Sequence, residues 1–108
     1  NAMGASLGDG WFRGNIGWQD QRNYYGEKLA LIAQVHVVYT DGSSETIGTD
    51  ESWAATTGPI LSSDIYNGEI YDANKEMPGW STTGFNQSQW GKVSVLNYSK
   101  DHLIHLFQ

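Results

Sequence analysis

Four carboxylates, two tyrosines and an Asn-Gly pair lie in the stretch SSDIYNGEIYDANKEMPGW, which runs from Ser62 to Trp80. Hydrolysis of a glycosidic bond uses two carboxyl groups, about 6.5–9.5 Å apart for inversion and about 5–5.5 Å apart for retention. Asp64, Glu69 and Asp72 could reach such a spacing, so the stretch is compatible with this chemistry. In an acidic chain, however, suitable carboxylate pairs also arise by chance.

Two other uses of the same stretch compete with catalysis. Asp64, Asn67 and Glu69 offer the oxygen ligands that a hard cation such as calcium prefers, although the spacing of an EF-hand loop is absent. Asp and Asn side chains also bond the backbone of turns, while Tyr66 and Tyr71 could pack inward. The residue types favour this last interpretation and leave the other two open.

The stretch GDGWFRGNIGW, from Gly8 to Trp18, has the glycine density of a phosphate-binding loop. It lacks the Lys-Ser/Thr pair of a P-loop, and its glycines do not follow the G-x-G-x-x-G spacing. Tight turns beside buried tryptophans are therefore favoured over nucleotide binding.

The stretch RNYYGEKLAL, from Arg22 to Leu31, combines a guanidinium group with aromatic rings. The face of Tyr24 or Tyr25 could stack on the C–H side of a pyranose while Arg22 bonds its hydroxyl groups. A polar edge that leads into a strand is the competing interpretation, and the residue types favour it.

The sequence predicts no metal site and no serine-hydrolase triad. His102 and His105 lie three residues apart, so on a strand they would point to opposite faces and could not readily share a metal. The chain has no cysteine and no His-Glu-x-x-His pattern, and Gly-x-Ser-x-Gly is also absent.

Charge and composition exclude several classes of partner. The 108 residues are enough for one small domain, and six Lys and Arg face twelve Asp and Glu, for a net charge of −6. No basic stripe exists, which argues against nucleic acid and against an anionic membrane surface. No run of 18 apolar residues could span a bilayer. The absence of cysteine favours a reducing cytoplasm as the location.

The clearest structural element is KLALIAQVHVVY, from Lys28 to Tyr39, which alternates with a period of two and ends in β-branched and aromatic residues. Thr40-Asp41-Gly42-Ser43 follows at once and predicts a hairpin with a return strand from Ser44 to Thr49. Both faces of the first strand are largely apolar, so we expect it to be central in a sheet and covered on each side.

Several further short strands, separated by Gly-, Ser- and Asn-rich loops, indicate an all-β fold with two layers of strands. We predict them at Gly10–Arg13, Trp53–Ala55, Glu69–Asp72, Lys92–Leu96 and Leu103–Phe107, with a single 3₁₀ turn at Ser88–Trp90. Asn1-Ala2-Met3 is typical of a remnant of tag removal, so we treat residues 4–108 as one domain.

Four longer stretches follow one another from about Leu7 to about Val95: LGDGWFRGNIGW, RNYYGEKLALIAQ, YTDGSSETIGTDESWAATTGPILSSDIYNGEIYDAN and PGWSTTGFNQSQWGKV. Their content and order resemble the N-terminal accessory domain of bacterial α-L-rhamnosidases. The run from Gly58 to Ala73 is the most specific part of this resemblance.

The resemblance implies a β-sandwich of jelly-roll type beside a catalytic (α/α)₆ barrel, which hydrolyses α-L-rhamnosyl bonds with inversion through its own carboxylates. The stretch Ser62–Trp80 is then not a catalytic pair. We expect a non-catalytic accessory domain that aids recognition of a rhamnose-containing glycan; the alternative is a purely structural domain that braces the barrel.

The candidate sugar contacts combine aromatic faces with polar groups. They are Trp18, Arg22, Tyr24, Asp64, Asn67 and Glu69. In some relatives a similar jelly-roll module binds rhamnose with calcium, but its ligands cannot be mapped onto this sequence, so no cofactor is predicted and calcium stays open.

The sequence also departs from the family pattern. A Phe-Asp-Asp-Ser-x-Trp turn of many jelly rolls is replaced here, with loss of both carboxylates, although Phe85 and Trp90 are kept. The family domain begins with strands that would precede Leu7. We therefore expect a partial sandwich with an open edge, and association of copies through Leu103–Phe107 or Gly10–Arg13.

Overall fold

The computed structural model describes residues 1–104, and these residues form an almost entirely β structure. The elements are a short helix α1 (Gly10–Arg13), six strands β1 (Gln34–Val38), β2 (Ser44–Gly48), β3 (Ala54–Ala55), β4 (Ile60–Asp64), β5 (Gly68–Tyr71) and β6 (Gly91–Lys92), and a 3₁₀ turn at Ala73–Lys75. The strands pair antiparallel as β1–β2, β3–β6 and β4–β5. The predicted all-β class is confirmed, and the jelly-roll arrangement remains a prediction.

The hairpin predicted from Asp41-Gly42 is confirmed. Val38 faces Ser44, and the amide of Tyr39 donates to the carbonyl of Ser43 over 2.8 Å. Gly42 takes a φ of 86°, which favours glycine, and the Asp41 carboxylate accepts from the Ser43 amide. The turn residues thus fix the register of both strands.

The prediction that the first strand is central and covered on both faces is wrong. The strand begins at Gln34 rather than Lys28, and among the described residues it pairs with β2 alone. Val35 and Val38 are 37% and 67% exposed. Alternation showed that the chain is extended here, but it carried no information about what lies against either face.

The second hairpin, β4–β5, was predicted only in part. Strand β5 lies at Gly68–Tyr71, one residue earlier than expected, whereas β4 was not predicted because polar residues follow Leu61. Asp64 faces Gly68 across the turn, and a β-bulge interrupts the register near Ile60. The predicted strands at Trp53–Ala55 and Lys92–Leu96 are reduced to the short pair β3–β6.

The predicted strand at Gly10–Arg13 is wrong, because these residues form α1. The Arg13 amide donates to the carbonyl of Asp9 over 3.1 Å, which closes a helical turn. Trp90 closes a turn with Gln87, but the 3₁₀ turn lies at Ala73–Lys75 and not at the predicted Ser88–Trp90. The predicted strand Leu103–Phe107 lies mostly outside the described residues.

No apolar side chain among residues 1–104 is buried. The radius of gyration is 16.9 Å, larger than the roughly 13 Å expected for a compact domain of this length. Apolar side chains of residues 29–32, 53–55 and 93–96, among others, instead line an open groove. No helix within residues 1–104 has the length and apolar character needed to cross a membrane.

Candidate functional site

The most enclosed charged group in the described chain is the carboxylate of Asp9, whose residue is 7% exposed. Its Oδ1 accepts from Arg13 Nε over 2.7 Å and its Oδ2 accepts from Arg22 Nη2 over 2.8 Å. Both arginines remain partly exposed, at 38% and 50% of their side chains. One acid therefore joins α1 to the loop that follows it.

Local backbone bonds hold that loop in place. The amide of Asn23 donates to the carbonyl of Arg13, and the amide of Tyr25 donates to the carbonyl of Phe12. A second pair of partners, Ile16 and Gln21, closes a turn within the loop. The chain thus returns beside α1, which brings Arg22 within reach of Asp9.

The same unit is attached to the β4–β5 hairpin. The amide of Asp9 donates to the carbonyl of Ser63 over 3.1 Å. Gly14 lies so close to Asp64 that a Cβ added at Gly14 would clash with the Cβ of Asp64. Asn15 is 8% exposed, and its Oδ1 has no hydrogen-bond partner within residues 1–104. The cluster of Asp9, Arg13, Asn15, Arg22 and Asp64 is termed the Asp9 cluster below.

Asp64 serves the turn that joins β4 to β5. Its Oδ1 accepts from the amides of Tyr66 and Asn67, over 2.9 and 2.7 Å, and its Oδ2 accepts from Asn67 Nδ2. The backbone hydrogen bond from Asn67, followed by the other bonds from Asn67, Tyr66 and Asn15, holds the pKa of Asp64 below its usual range. The group is a stable carboxylate at neutral pH and does not act as a proton donor there.

The six predicted sugar contacts therefore separate into two groups. Three of them are engaged within the chain: Arg22 binds Asp9, and Asp64 and Asn67 bind each other. The other three are Trp18, Tyr24 and Glu69, which are exposed, as Arg22 and Asn67 are too. Their contact with sugar stays a prediction.

Trp18 is 98% exposed, at the tip of the turn closed by Ile16 and Gln21. Tyr24 is 67% exposed and packs edge-on against Tyr25, with ring centroids 5.1 Å apart. The glycine-rich stretch forms turns as predicted, since Gly10 and Gly17 have positive φ. The expectation of buried tryptophans beside these turns is wrong, because side-chain packing cannot be inferred from glycine spacing.

The remaining acids of the stretch also serve local structure. Asp72 caps the 3₁₀ turn by accepting from the amide of Asn74 over 3.0 Å. Tyr71 donates its hydroxyl to Glu76 over 2.7 Å; this bond, then desolvation and the charges of Glu76 and Glu69, raise the pKa of Tyr71. No group of three His, Asp or Glu side chains within residues 1–104 is placed to hold a metal ion. His105 lies outside the described residues.

Sequence reasoning missed Asp9, Arg13 and Asn15. The signal for the first pair was their i, i+4 spacing, which joins opposite charges on one helical turn. Because Gly10–Arg13 was predicted to be a strand, the helical spacing of this pair was not recognised. The bond from Arg22 to Asp9 spans 13 positions and follows only from the folded loop.

The profile of the family described as "Alpha-L-rhamnosidase N-terminal domain" matches residues 1–107. The chain belongs to this family. It is 46% identical over 90 residues to an α-L-rhamnosidase of Streptomyces avermitilis, and 41% identical over 98 residues to one of Formosa agariphila. These matches cover 83% and 88% of this chain but only 9% and 10% of the relatives.

Solved structures agree with the family assignment. The chain superimposes on a native rhamnosidase of Aspergillus terreus with a TM-score of 0.82 and 44% identity, over 88% of this chain and 11% of that one. A Streptomyces avermitilis α-L-rhamnosidase solved with L-rhamnose gives a TM-score of 0.77 at 44% identity, over 82% and 9%. The matched segment is thus about a tenth of each of these proteins.

Replacing Asp9 with asparagine should loosen the Asp9 cluster, because it leaves two guanidinium groups without their shared carboxylate. We expect the free energy of local opening to fall by about 2 kcal/mol. The decrease is smaller than for a fully buried ion pair because both arginines contact water. Exchange of the Asp9, Arg13 and Asn23 amides should then accelerate roughly 30-fold. Asp20→Asn, in the same loop, is the control, since Asp20 is exposed and makes no side-chain hydrogen bond to a described residue. Equal effects of the two substitutions would contradict the account.

Acid should release the β4–β5 turn through Asp64. Because the folded-state pKa of Asp64 is lowered, its contribution to stability is present above the usual carboxyl pKa and is lost as pH falls through the lowered value. NMR should therefore show the Asn67 amide shifting in acid with a midpoint below the usual range of an Asp. Asp64→Asn should abolish that transition. A midpoint at or above the usual value would show that the turn amides do not bind the carboxylate.

Proposed function

We propose that residues 4–108 form a non-catalytic accessory domain of an α-L-rhamnosidase, and that its principal role is to brace the rest of the enzyme. The longer polypeptide, termed the parent chain below, would carry the catalytic (α/α)₆ barrel and hydrolyse α-L-rhamnosyl bonds with inversion. Membership of the family and the one-tenth coverage of its relatives support this proposal.

The observation that carries the structural role is the use of the acids. Asp9 binds two arginines, Asp64 binds turn amides and Asp72 caps a 3₁₀ turn. A general acid of a glycosidase needs a raised pKa, whereas hydrogen bonds lower that of Asp64. These carboxylates stabilise the backbone in the way that turn and cap residues do.

A second role, contact with the rhamnose-containing substrate, is favoured by the exposed aromatic rings. Trp18 projects from the tip of its turn, and Tyr24 and Tyr25 form an edge-on pair. Such rings can stack on the C–H face of a sugar. The Streptomyces avermitilis relative was solved with L-rhamnose, which fits a sugar-binding parent chain. With Arg22 bound to Asp9, however, few directed polar groups accompany these rings.

The parent chain should hydrolyse 4-nitrophenyl α-L-rhamnoside, whereas the 108-residue chain alone should not. Within the parent chain, Glu69→Gln should leave kcat within about twofold, because removal of a true catalytic carboxyl group costs orders of magnitude. Glu51→Gln, at another exposed acid, is the matched control. Hydrolysis by the 108-residue chain, or a large loss of kcat from Glu69→Gln alone, would refute the non-catalytic assignment.

Titration of the 108-residue chain with L-rhamnose, with and without calcium, separates the two roles. We expect weak binding or none, with any NMR shifts confined to the Trp18 indole and the Tyr24 ring and removed by Trp18→Ala. Tyr66→Ala, which removes an exposed ring in the turn between β4 and β5, is the control. Micromolar affinity would show that sugar recognition, and not bracing, is the principal role.

A further inference from the structure

Asn67 is the one asparagine in the sequence that is followed by glycine. It lies in the turn between β4 and β5, and both Asn67 and Gly68 are exposed. Gly68 has a φ of 73°, and a Cβ built at Gly68 would meet no described atom within 4 Å. The peptide bond after Asn67 therefore lies at the surface, and no side chain on the following residue hinders approach to its nitrogen.

This arrangement suits an intramolecular reaction in which the asparagine side chain closes onto the backbone. The nitrogen of Gly68 attacks Cγ of Asn67, so a C–N bond forms, and the proton on that nitrogen passes to water. The Cγ–Nδ2 bond breaks, and the amide nitrogen takes up a proton and leaves as ammonia. Water then opens the five-membered imide: addition at Cγ gives aspartate, and addition at the main-chain carbonyl gives isoaspartate. No oxidant or reductant takes part.

We propose that Asn67 is a site of spontaneous deamidation, and that the new carboxylate loosens the turn between β4 and β5. The reaction consumes only water, so it does not depend on the proposed function. Three other exposed asparagines lack a following glycine: Asn74, Asn86 and Asn97 precede lysine, glutamine and tyrosine. The side chains of those residues crowd the attacking nitrogen, which makes Asn67 the preferred site.

The consequence for the turn follows from the bonds between Asn67 and Asp64. Asn67 Nδ2 donates to Asp64 Oδ2 over 3.2 Å, and the Asn67 amide donates to Asp64 Oδ1 over 2.7 Å. Deamidation replaces the side-chain donor with a carboxylate, which has no proton to donate and repels the ionised Asp64. The isoaspartate product also adds one carbon to the main chain, which disturbs the register in which Asp64 faces Gly68.

The effect extends to the Asp9 cluster, because β4 carries its contact with the second hairpin. The amide of Asp9 donates to the carbonyl of Ser63, which precedes Asp64 in the chain. Gly14 also lies directly against Asp64. A displaced Asp64 therefore weakens the attachment of α1 and its loop to the hairpin.

Peptide mass spectrometry of the 108-residue chain tests the modification. The folded chain is kept at mildly alkaline pH and physiological temperature, and conversion of Asn67 is compared with that of Asn86 and Asn97. Asn67 should convert at least about tenfold faster than either, to a mixture of aspartate and isoaspartate. Asn67→Gln, which cannot close a five-membered ring, should stop conversion at this position.

Two results would overturn the modification. Equal conversion at Asn67, Asn86 and Asn97 would show that the exposed glycine has no effect. Conversion of Asn67 in denaturant but not in the folded chain would show that the turn prevents ring closure.

A substitution that mimics the product tests the effect on the turn. Asn67→Asp introduces the new charge without the extra main-chain carbon. Hydrogen exchange of the amides of position 67 and Asp9 should accelerate roughly tenfold, because a hydrogen bond to a charged group is lost. Asn86→Asp is the matched control, since Asn86 is exposed and its Oδ1 accepts from the Ser88 amide, which a carboxylate can also do. Equal effects of the two substitutions, or unchanged exchange of either amide, would overturn the loosening.

Discussion

The buried carboxylate of Asp9 is the interaction on which the arrangement of this chain depends. A carboxylate withdrawn from water is costly unless it is paired, and here the guanidinium groups of Arg13 and Arg22 are its partners. The backbone amide of the same residue donates to the carbonyl of Ser63. Arg13 and Arg22 lie at opposite ends of one loop, and both bind the carboxylate of Asp9. This one charged group therefore fixes the position of the loop. Because β4 is attached at the same point, the position of the second hairpin follows as well.

The carboxylates are already hydrogen-bonded within the chain, which explains why an acidic segment of a glycosidase family need not be catalytic. Asp9 and Asp72 already have guanidinium or amide partners, and turn amides lower the pKa of Asp64 and so favour its ionised form. General acid catalysis would require the opposite environment, in which burial or a neighbouring charge favours the protonated form. The local structure therefore supports the proposed non-catalytic role, and the exposed rings of Trp18 and Tyr24 are available for the proposed contact with sugar.

The sequence was informative where local chemistry decides structure. Asp41-Gly42 identified the first hairpin, because that turn needs a residue tolerant of positive φ. Ser62 to Asp64 gave no strand signal, since polar side chains dominate there, and Gly10–Arg13 was mistaken for a strand because four residues cannot display a helical period. The family resemblance supplied the family assignment and supported the all-β class. The Asp9–Arg13 pair carried an i, i+4 signal, whereas the bond from Arg22 to Asp9 depends on folded geometry that no sequence pattern indicates.

A double-mutant cycle between Asp9 and Arg22 tests the central claim most directly. Opening free energies for Asp9→Asn, Arg22→Gln and the double variant would be measured by exchange of the Asn23 amide. If the shared carboxylate positions the loop, the two substitutions should be non-additive by at least about 1 kcal/mol. Additive effects would contradict the account, because they would mean that Asp9 and Arg22 act on the loop independently.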